Sequence, residues 1–418
     1  MHAVPTSYHI ARACGLVVWL ASGCGNEPTN DDGVASTTEG GSTGASTSSG
    51  PADVGSSTDG DSPHEPEYCA GVADMVEARA AAAHEELALV GLSVAVSFDA
   101  CDPRQFAWGA ASLDVAEALT VDHLMRAGSV TKIFTGVLLL KLAEERLLEL
   151  DETVDSFGLD VPFASSITIR HLLNHTSGIA DYQHHEGFRQ ALQQDPSRVW
   201  TPQELVEYAM ELESAEPGRH HAYSNANYVL AGMIAEHAAG QSYADALRTH
   251  VLEIAGLTQT YVEAEDAWEG PTAKGYLVVD GGSPQDTTGF YHASQVWASG
   301  AVVSTADDLR SFLHQSFSED FLDAPSQHAW LEFVPTMLPG ITQYGLGLFV
   351  LESPHVTAIG HNGAVMGFQA AAFHHPESAS TVTVMQNQLA LTPAGTLQSD
   401  PAALAVEILE TIDMALRR

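Results

Sequence analysis

Positive charge is scarce in this 418-residue chain: lysine occurs only as Lys132, Lys141 and Lys274, and Lys plus Arg total 16 against 54 Asp plus Glu, a formal net charge of −38. Such a surface cannot displace counterions from a phosphate backbone or settle on an anionic bilayer, which excludes nucleic acid and anionic lipid as partners. A neutral or cationic small substrate is compatible with it. Cysteine is almost as rare, with four residues and no C-x-x-C. There is no repeat of fixed period, and no phosphate loop either. Gly345-Leu346-Gly347 reads as a turn or strand pair because no helix with a Gly-x-x-Gly follows. Metal ligation finds no support: His171 and His175 stand four apart, yet Leu172 occupies the place where a zinc helix carries Glu. The pairs His184-His185, His220-His221 and His374-His375 have no converging ligand spacing and read as surface histidines. No cofactor is implied.

The chain exceeds the roughly 250 to 300 residues at which one core stops growing. Residues 1–24 combine Arg12, a short apolar run from Gly15 to Leu20 and small residues before Cys24, the layout of an export signal too short to span a membrane. It resembles a lipoprotein signal, in which Cys24 is lipidated and tethers the protein to the bacterial cell envelope. Ala21 stands where such signals have Leu, and plain secretion is the alternative. Residues 25–67 contain no Lys or Arg and are rich in Gly, Ser, Thr, Pro and acid, a composition that cannot bury enough apolar surface to order itself. With Cys14 and Cys24 in the signal, Cys69 and Cys101 remain as the one pair in residues 68–418, and an exported protein is expected to join them.

Within 68–418 an Ala/Glu-rich helix over 72–89 precedes alternating strands over 92–98 and 106–113. Helical patterns follow at 201–212, 228–239, 243–255 and 304–317. Strands return at 344–351, 355–361, 367–374 and 381–385, before a last helix over 401–416. The order predicts an α/β fold: an antiparallel sheet flanked by helices, built from residues 68–150 and 270–418, with a mostly helical lobe over about 151–269 inserted.

Chemistry centres on Ser129. Apolar Val130, Phe134, Val137 and Leu138 recur at helical spacing, so Ser129 opens a helix, where free backbone N–H groups and the dipole favour a group building negative charge. Lys132 falls on the same face one turn on, inside an apolar run, where burial would weaken its hold on a proton and suit it to activate the hydroxyl. The bland alternative for an isolated S-x-x-K is a capping Ser beside a snorkelling Lys.

Three motifs stand in order: Ser129-Val130-Thr131-Lys132, Tyr223-Ser224-Asn225 and His361-Asn362-Gly363. With LLNHTSGI, YVLAGMIAEHAAGQSYADAL and SGAVVSTADDLRSFL, they resemble the S-x-x-K, Y-x-N and K/H-x-G elements of the class C β-lactamase and D-Ala-D-Ala carboxypeptidase family of penicillin-recognising serine hydrolases. The likeness spans about residues 70–415. It implies that Ser129 is acylated and that Lys132 and Tyr223 form one base device, the lysine lowering the phenol's pKa. It implies that Asn225 holds Lys132 and the substrate carbonyl, and that the N–H groups of Ser129 and Ala364, beside Gly363, bind the oxyanion. Lys-Thr-Gly, usual in β-lactamases, is His361-Asn362-Gly363 here, which shifts the expectation from a dedicated β-lactamase to a D-Ala-D-Ala carboxypeptidase-like peptidase, with His361 and Asn362 donating to the substrate carboxylate. The expected substrate is a D-amino-acid peptide, ester or β-lactam and the expected state a monomer. An esterase on the same machinery, or a non-catalytic module binding wall fragments or penicillin, are the rivals.

Overall fold

The computed structural model describes residues 66–98 and 100–417. The expectations for the export signal, for Cys24 and for residues 25–65 lie outside the described residues. Helix α1 (Tyr68–Glu86) leads into β1 (Gly91–Ser97), β2 (Arg104–Ser112), β3 (Glu117–Ala118) and β4 (Met125–Arg126). A 3₁₀ turn at Gly128–Val130 opens α2 (Thr131–Glu144). Helices α3 (Ile169–Leu173), α4 (Glu186–Gln194), α5 (Pro202–Met210), α6 (Asn225–Ala239) and α7 (Tyr243–Leu247) follow, the last running into a π turn at Arg248–Leu252. Then come β5 (Thr260–Val262), β6 (Tyr276–Val279), β7 (Gln285–Asp286), β8 (Val302–Ser304), α8 (Ala306–Ser316) and α9 (Ala324–Trp330). Strands β9 (Val334–Pro335), β10 (Gln343–Tyr344), β11 (Phe349–Glu352), β12 (Thr357–Val365), β13 (Phe368–His375), β14 (Ser380–Gln386) and β15 (Gln388–Leu391) precede α10 (Pro401–Leu416).

Nine strands form one antiparallel sheet in the order β3-β2-β1-β14-β13-β12-β11-β10-β9, so β1 from near the start pairs with β14 from near the end. Side chains alternate across it. Leu92, Val94 and Val96 of β1 and Val382 and Val384 of β14 pack with Val72, Val76, Ile408 and Ile412 of α1 and α10 on one face. Ala95 and Met385 point to the other face, against Phe134, Leu309 and Phe312 of α2 and α8. A disulfide joins Cys69 to Cys101 with their Cα atoms 5.6 Å apart, tying the start of α1 to the chain leaving β1.

Helix α2 is apolar all round and buried from Thr131 to Leu142 apart from Lys141, further than its amphipathic spacing alone requires. It is the central helix, walled by α6, α9 and the segment Trp297–Ser299, so no face of its first three turns meets water. Two sequence expectations need correction. The strand expected over 344–351 is two strands parted by a turn, in which Gly347 has φ +96° and a Cβ would lie 2.4 Å from the Lys132 carbonyl. His374 and His375, expected at the surface, are buried: β13 is a central strand covered on both faces, and their Nδ1 atoms bond Thr381 Oγ1 at 2.9 Å and the Thr357 carbonyl at 2.9 Å. Among the described residues no helix is long and apolar enough to cross a membrane.

Candidate active site

Three chain segments meet at Ser129. The 3₁₀ turn presents the Ser129 hydroxyl, with Gly128 at φ +53° letting the backbone pass under β12. One turn later Lys132 Nζ lies 3.1 Å from Ser129 Oγ. From the second motif, Tyr223 Oη donates to Ser129 Oγ at 3.0 Å. Ser224, extended at φ −149° and ψ 123°, then turns the chain into α6, whose first residue Asn225 faces Lys132.

The bonds around Lys132 decide its chemistry. Nζ lies 2.8 Å from the Ser299 carbonyl and 2.8 Å from Asn225 Oδ1. The amide of Asn225 is held the right way round because its Nδ2 donates to Asp181 Oδ2 at 2.9 Å and Gln183 Oε1 at 3.1 Å. Both partners of Lys132 can therefore only accept, and they take two N–H bonds. Ser129 Oγ is the third neighbour and itself carries a proton. Burial pushes the Lys132 ammonium down to about 7, with Asp181 opposing the shift. A neutral amine in this place directs its lone pair at the Ser129 hydroxyl. Burial moves the phenol of Tyr223 in the opposite direction to what the motif implied: it rises, with the Ser129 bond opposing and Asp181 reinforcing the rise. Burial of the phenol thus acts against the lowering that the resemblance implies for Tyr223 beside Lys132.

The third motif supplies the opposing wall. Gly363 allows β12 to approach the nucleophile, since a Cβ there would lie 2.3 Å from the Ala127 carbonyl and 2.5 Å from Ser129 N. The β12–β13 hairpin closes at Val365 and Phe368, a hydrogen-bonding pair around a two-residue turn. Ala364 opposite Gln369 is then a non-bonded pair, so its N–H points away from β13 toward the Gly128–Ser129 turn. The backbone nitrogens of Ser129 and Ala364 lie at this close approach, a Cβ on Gly363 falling 2.5 Å from the first and one on Gly128 2.9 Å from the second, a placement compatible with an oxyanion site.

His361 does not do what the motif led us to expect. Ser224 N–H and Asn227 Nδ2 both donate to His175 Nδ1 at 3.2 Å, which leaves the proton of His175 on Nε2. That proton faces Tyr344 Oη at 3.2 Å, and Tyr344 Oη in turn lies 2.9 Å from His361 Nε2. The remaining His361 proton, on Nδ1, bonds the Asn362 carbonyl. Burial drives His361 down to about 3, so it is neutral, and each ring nitrogen has an internal partner. The expected donation from His361 to a substrate carboxylate is corrected on that ground. Asn362, its companion, turns its Nδ2 toward Asp400 Oδ1 at 3.4 Å.

Ser129, Tyr223, Tyr344, His361, Asn362 and Asp400 line one cleft with Gly363 and Ala364. Asp181, the Ser299 carbonyl, Tyr344 and Asp400 were not singled out from the sequence as site residues. Asp181 carries the only readable signal, an acid in an otherwise apolar and small-residue run after the S-G turn. His171 caps α3, its Nδ1 accepting from Thr168 N–H at 3.2 Å.

The β-lactamase family model matches residues 74–407. Penicillin-binding protein 4* of Bacillus subtilis (strain 168) is 28% identical over 299 residues, 67% of this chain and 64% of that protein. A D-aminopeptidase of Brucella anthropi is 27% identical over 313 residues, 70% of this chain and 55% of that one, so the chain spans a little over half to two thirds of these relatives. Among solved structures, D-amino acid amidase from Ochrobactrum anthropi SV3, complexed with D-phenylalanine, superposes with a TM-score of 0.73 at 26% identity, covering 83% of this chain and 99% of that one. An octameric penicillin-binding protein homologue from Pyrococcus abyssi gives 0.68 at 25% identity, covering 81% and 76%.

Proposed function

The chain belongs to the β-lactamase family of serine hydrolases, and from that premise we propose that it hydrolyses amide or ester bonds of D-configured amino-acid substrates through an acyl-enzyme on Ser129. The single observation that carries this is the bonding of Lys132: two obligate acceptors consume its N–H groups and aim its lone pair at the Ser129 hydroxyl. Lys132 takes the proton as Oγ bonds the substrate carbonyl carbon. The oxyanion sits against the N–H groups of Ser129 and Ala364. The carbon–leaving-group bond then breaks, and the leaving group departs with the proton that Lys132 had taken, which returns Lys132 to the neutral amine, while Tyr223 stays protonated and hydrogen-bonded to Oγ. Water repeats the sequence to release the acid, with Lys132 again as base.

The D-configured substrate is supported by the similarity to a D-aminopeptidase and a D-amino acid amidase. A D-Ala-D-Ala carboxypeptidase-like reaction, on which the K/H-x-G resemblance bore, would require a donor or cation for the terminal carboxylate, and His361 has both nitrogens engaged elsewhere. Aminopeptidase or amidase action is the better supported form. The test is intact-protein mass spectrometry after a fluorophosphonate and after a panel of penicillin, D-amino-acid amide and p-nitrophenyl ester. A single adduct on Ser129 that is absent from Ser129→Ala is expected; an adduct surviving in the variant, or none with any probe, overturns the proposal.

A further inference from the structure

The end of the cleft beyond the oxyanion site carries one formal charge, and its sign is negative. Among the described residues lining the cleft, Asp400 is the one carboxylate and there is no Lys or Arg. His361 beside it is neutral. Lys132 is buried behind Ser129 and Tyr223 and outside the lining. Asn362, at the place where the family resemblance puts a contact to the substrate carboxylate, points its amide N–H at Asp400 Oδ1. The same oxygen caps α10, accepting from Ala402 N–H at 2.9 Å, so the positive end of this 16-residue helix is already answered by the protein's own carboxylate. At this end of the cleft Asn362 and the start of α10 are thus both turned to Asp400, whose carboxylate is exposed.

From this we infer that Asp400, set by Asn362 and the start of α10, is a specificity-determining residue that admits leaving groups which are cationic or neutral and rejects those bearing a carboxylate. The inference rests on the acyl-enzyme reading above and deepens it: the substrates are D-amino-acid amides, or peptides and esters whose departing fragment carries an ammonium or no charge. Two unit charges about 4 Å apart in water interact by about 1 kcal/mol, roughly fivefold in rate, so oppositely charged leaving groups of equal size should differ by about 30-fold at low salt.

Three thioesters of one acyl group, D-alanine with its amino group free, test this, with thiocholine, ethanethiol and 3-mercaptopropionate as leaving thiols and released thiol as the readout. The full chain is used throughout. The expected order of kcat/KM is thiocholine, then ethanethiol, then mercaptopropionate, the extremes differing by about 30-fold and converging as salt rises from about 0.02 to about 0.5 M. Asp400→Asn keeps an oxygen to cap α10 and accept from Asn362, and should shrink the cation-to-anion ratio to within about threefold. A ratio near one in the wild type, a preference for mercaptopropionate, or a ratio unchanged in Asp400→Asn each overturn the inference. Wild-type salt dependence decides if the variant does not fold: a ratio insensitive to salt overturns it as well. These failures are distinct from failure of the acyl-enzyme reading, which would appear as no turnover of the neutral ethanethiol ester and no Ser129 adduct, and would take the inference down with it.

Discussion

A pH profile separates Lys132 from Tyr223 as the group that activates Ser129. The free enzyme's kcat/KM on a neutral ester reports the ionisation of its essential base. Burial holds Lys132 down to about 7, and only the neutral amine accepts a proton, so activity rises with pH through that value. With a midpoint near 7, about 3% of the enzyme is competent at pH 5.5, half at pH 7 and about 97% at pH 8.5, a rise of about 30-fold with unit slope. Had the phenol been the base, the limb would sit far higher, because burial raises Tyr223. Asp181 raises the lysine, so Asp181→Asn should move the limb to lower pH while its amide oxygen still accepts from Asn225. Stability carries the same signature with its own sign. Between about 7 and 10.5 the unfolded lysine holds a proton that the folded one has released, so stability rises with pH across that window. The rise is on the order of 5 kcal/mol from the depression of Lys132 from 10.5 to about 7. Lys132→Met removes this slope, measurable by urea unfolding at several pH values. A flat profile from pH 5.5 to 8.5, a limb above pH 9, or a limb unmoved in Asp181→Asn would refute the assignment.

Lys132→Arg should lose at least about 10² in kcat/KM and show no limb near neutrality, since a guanidinium keeps its proton. Gly363→Ala should lose about 10² to 10³ in kcat with the chain still folded by circular dichroism, because the added Cβ meets two backbone atoms, Ala127 O and Ser129 N, and pushes the Ala364 N–H out of line; a loss under tenfold would argue against that oxyanion site. Removing both Cys69 and Cys101 should cost about 3 to 4 kcal/mol in chemical denaturation, from a sequence separation of 32 residues, with Ser129 labelling retained in native buffer. Unchanged stability would show that the bridge does not constrain the unfolded chain.

The residues of the reaction centre could be read from the chain itself because their placement is local or carried by short motifs. Lys132 reaches Ser129 through one helical turn, an i, i+3 relation set by the pitch. Asn225 follows Tyr223 by two residues through the extended Ser224, which brings both side chains to the Lys132–Ser129 pair. Elements with strong period or clear punctuation were equally legible: α10 begins at Pro401, and β1 alternates large and small side chains although it is buried on both faces.

What the sequence could not determine depends on partners far along the chain. Whether the lysine or the phenol is the base turns on the Ser299 carbonyl, 167 residues from Lys132, and on Asp181, 44 residues from the asparagine it orients. Motif spacing says nothing of desolvation, which sets both pKa directions here. His361 reads as a donor through its place in the K/H-x-G element, and only folding brings Tyr344 and, behind it, His175 to its ring. Asp400 in sequence is an ordinary cap before a helix. It becomes the charge of the cleft because α10 packs against β13 and β14 and so lays its first turn beside Asn362 on β12. Local periodicity and short-range geometry are written into the order of residues, whereas the fields at the site are sums over groups that only tertiary packing brings within a few ångströms.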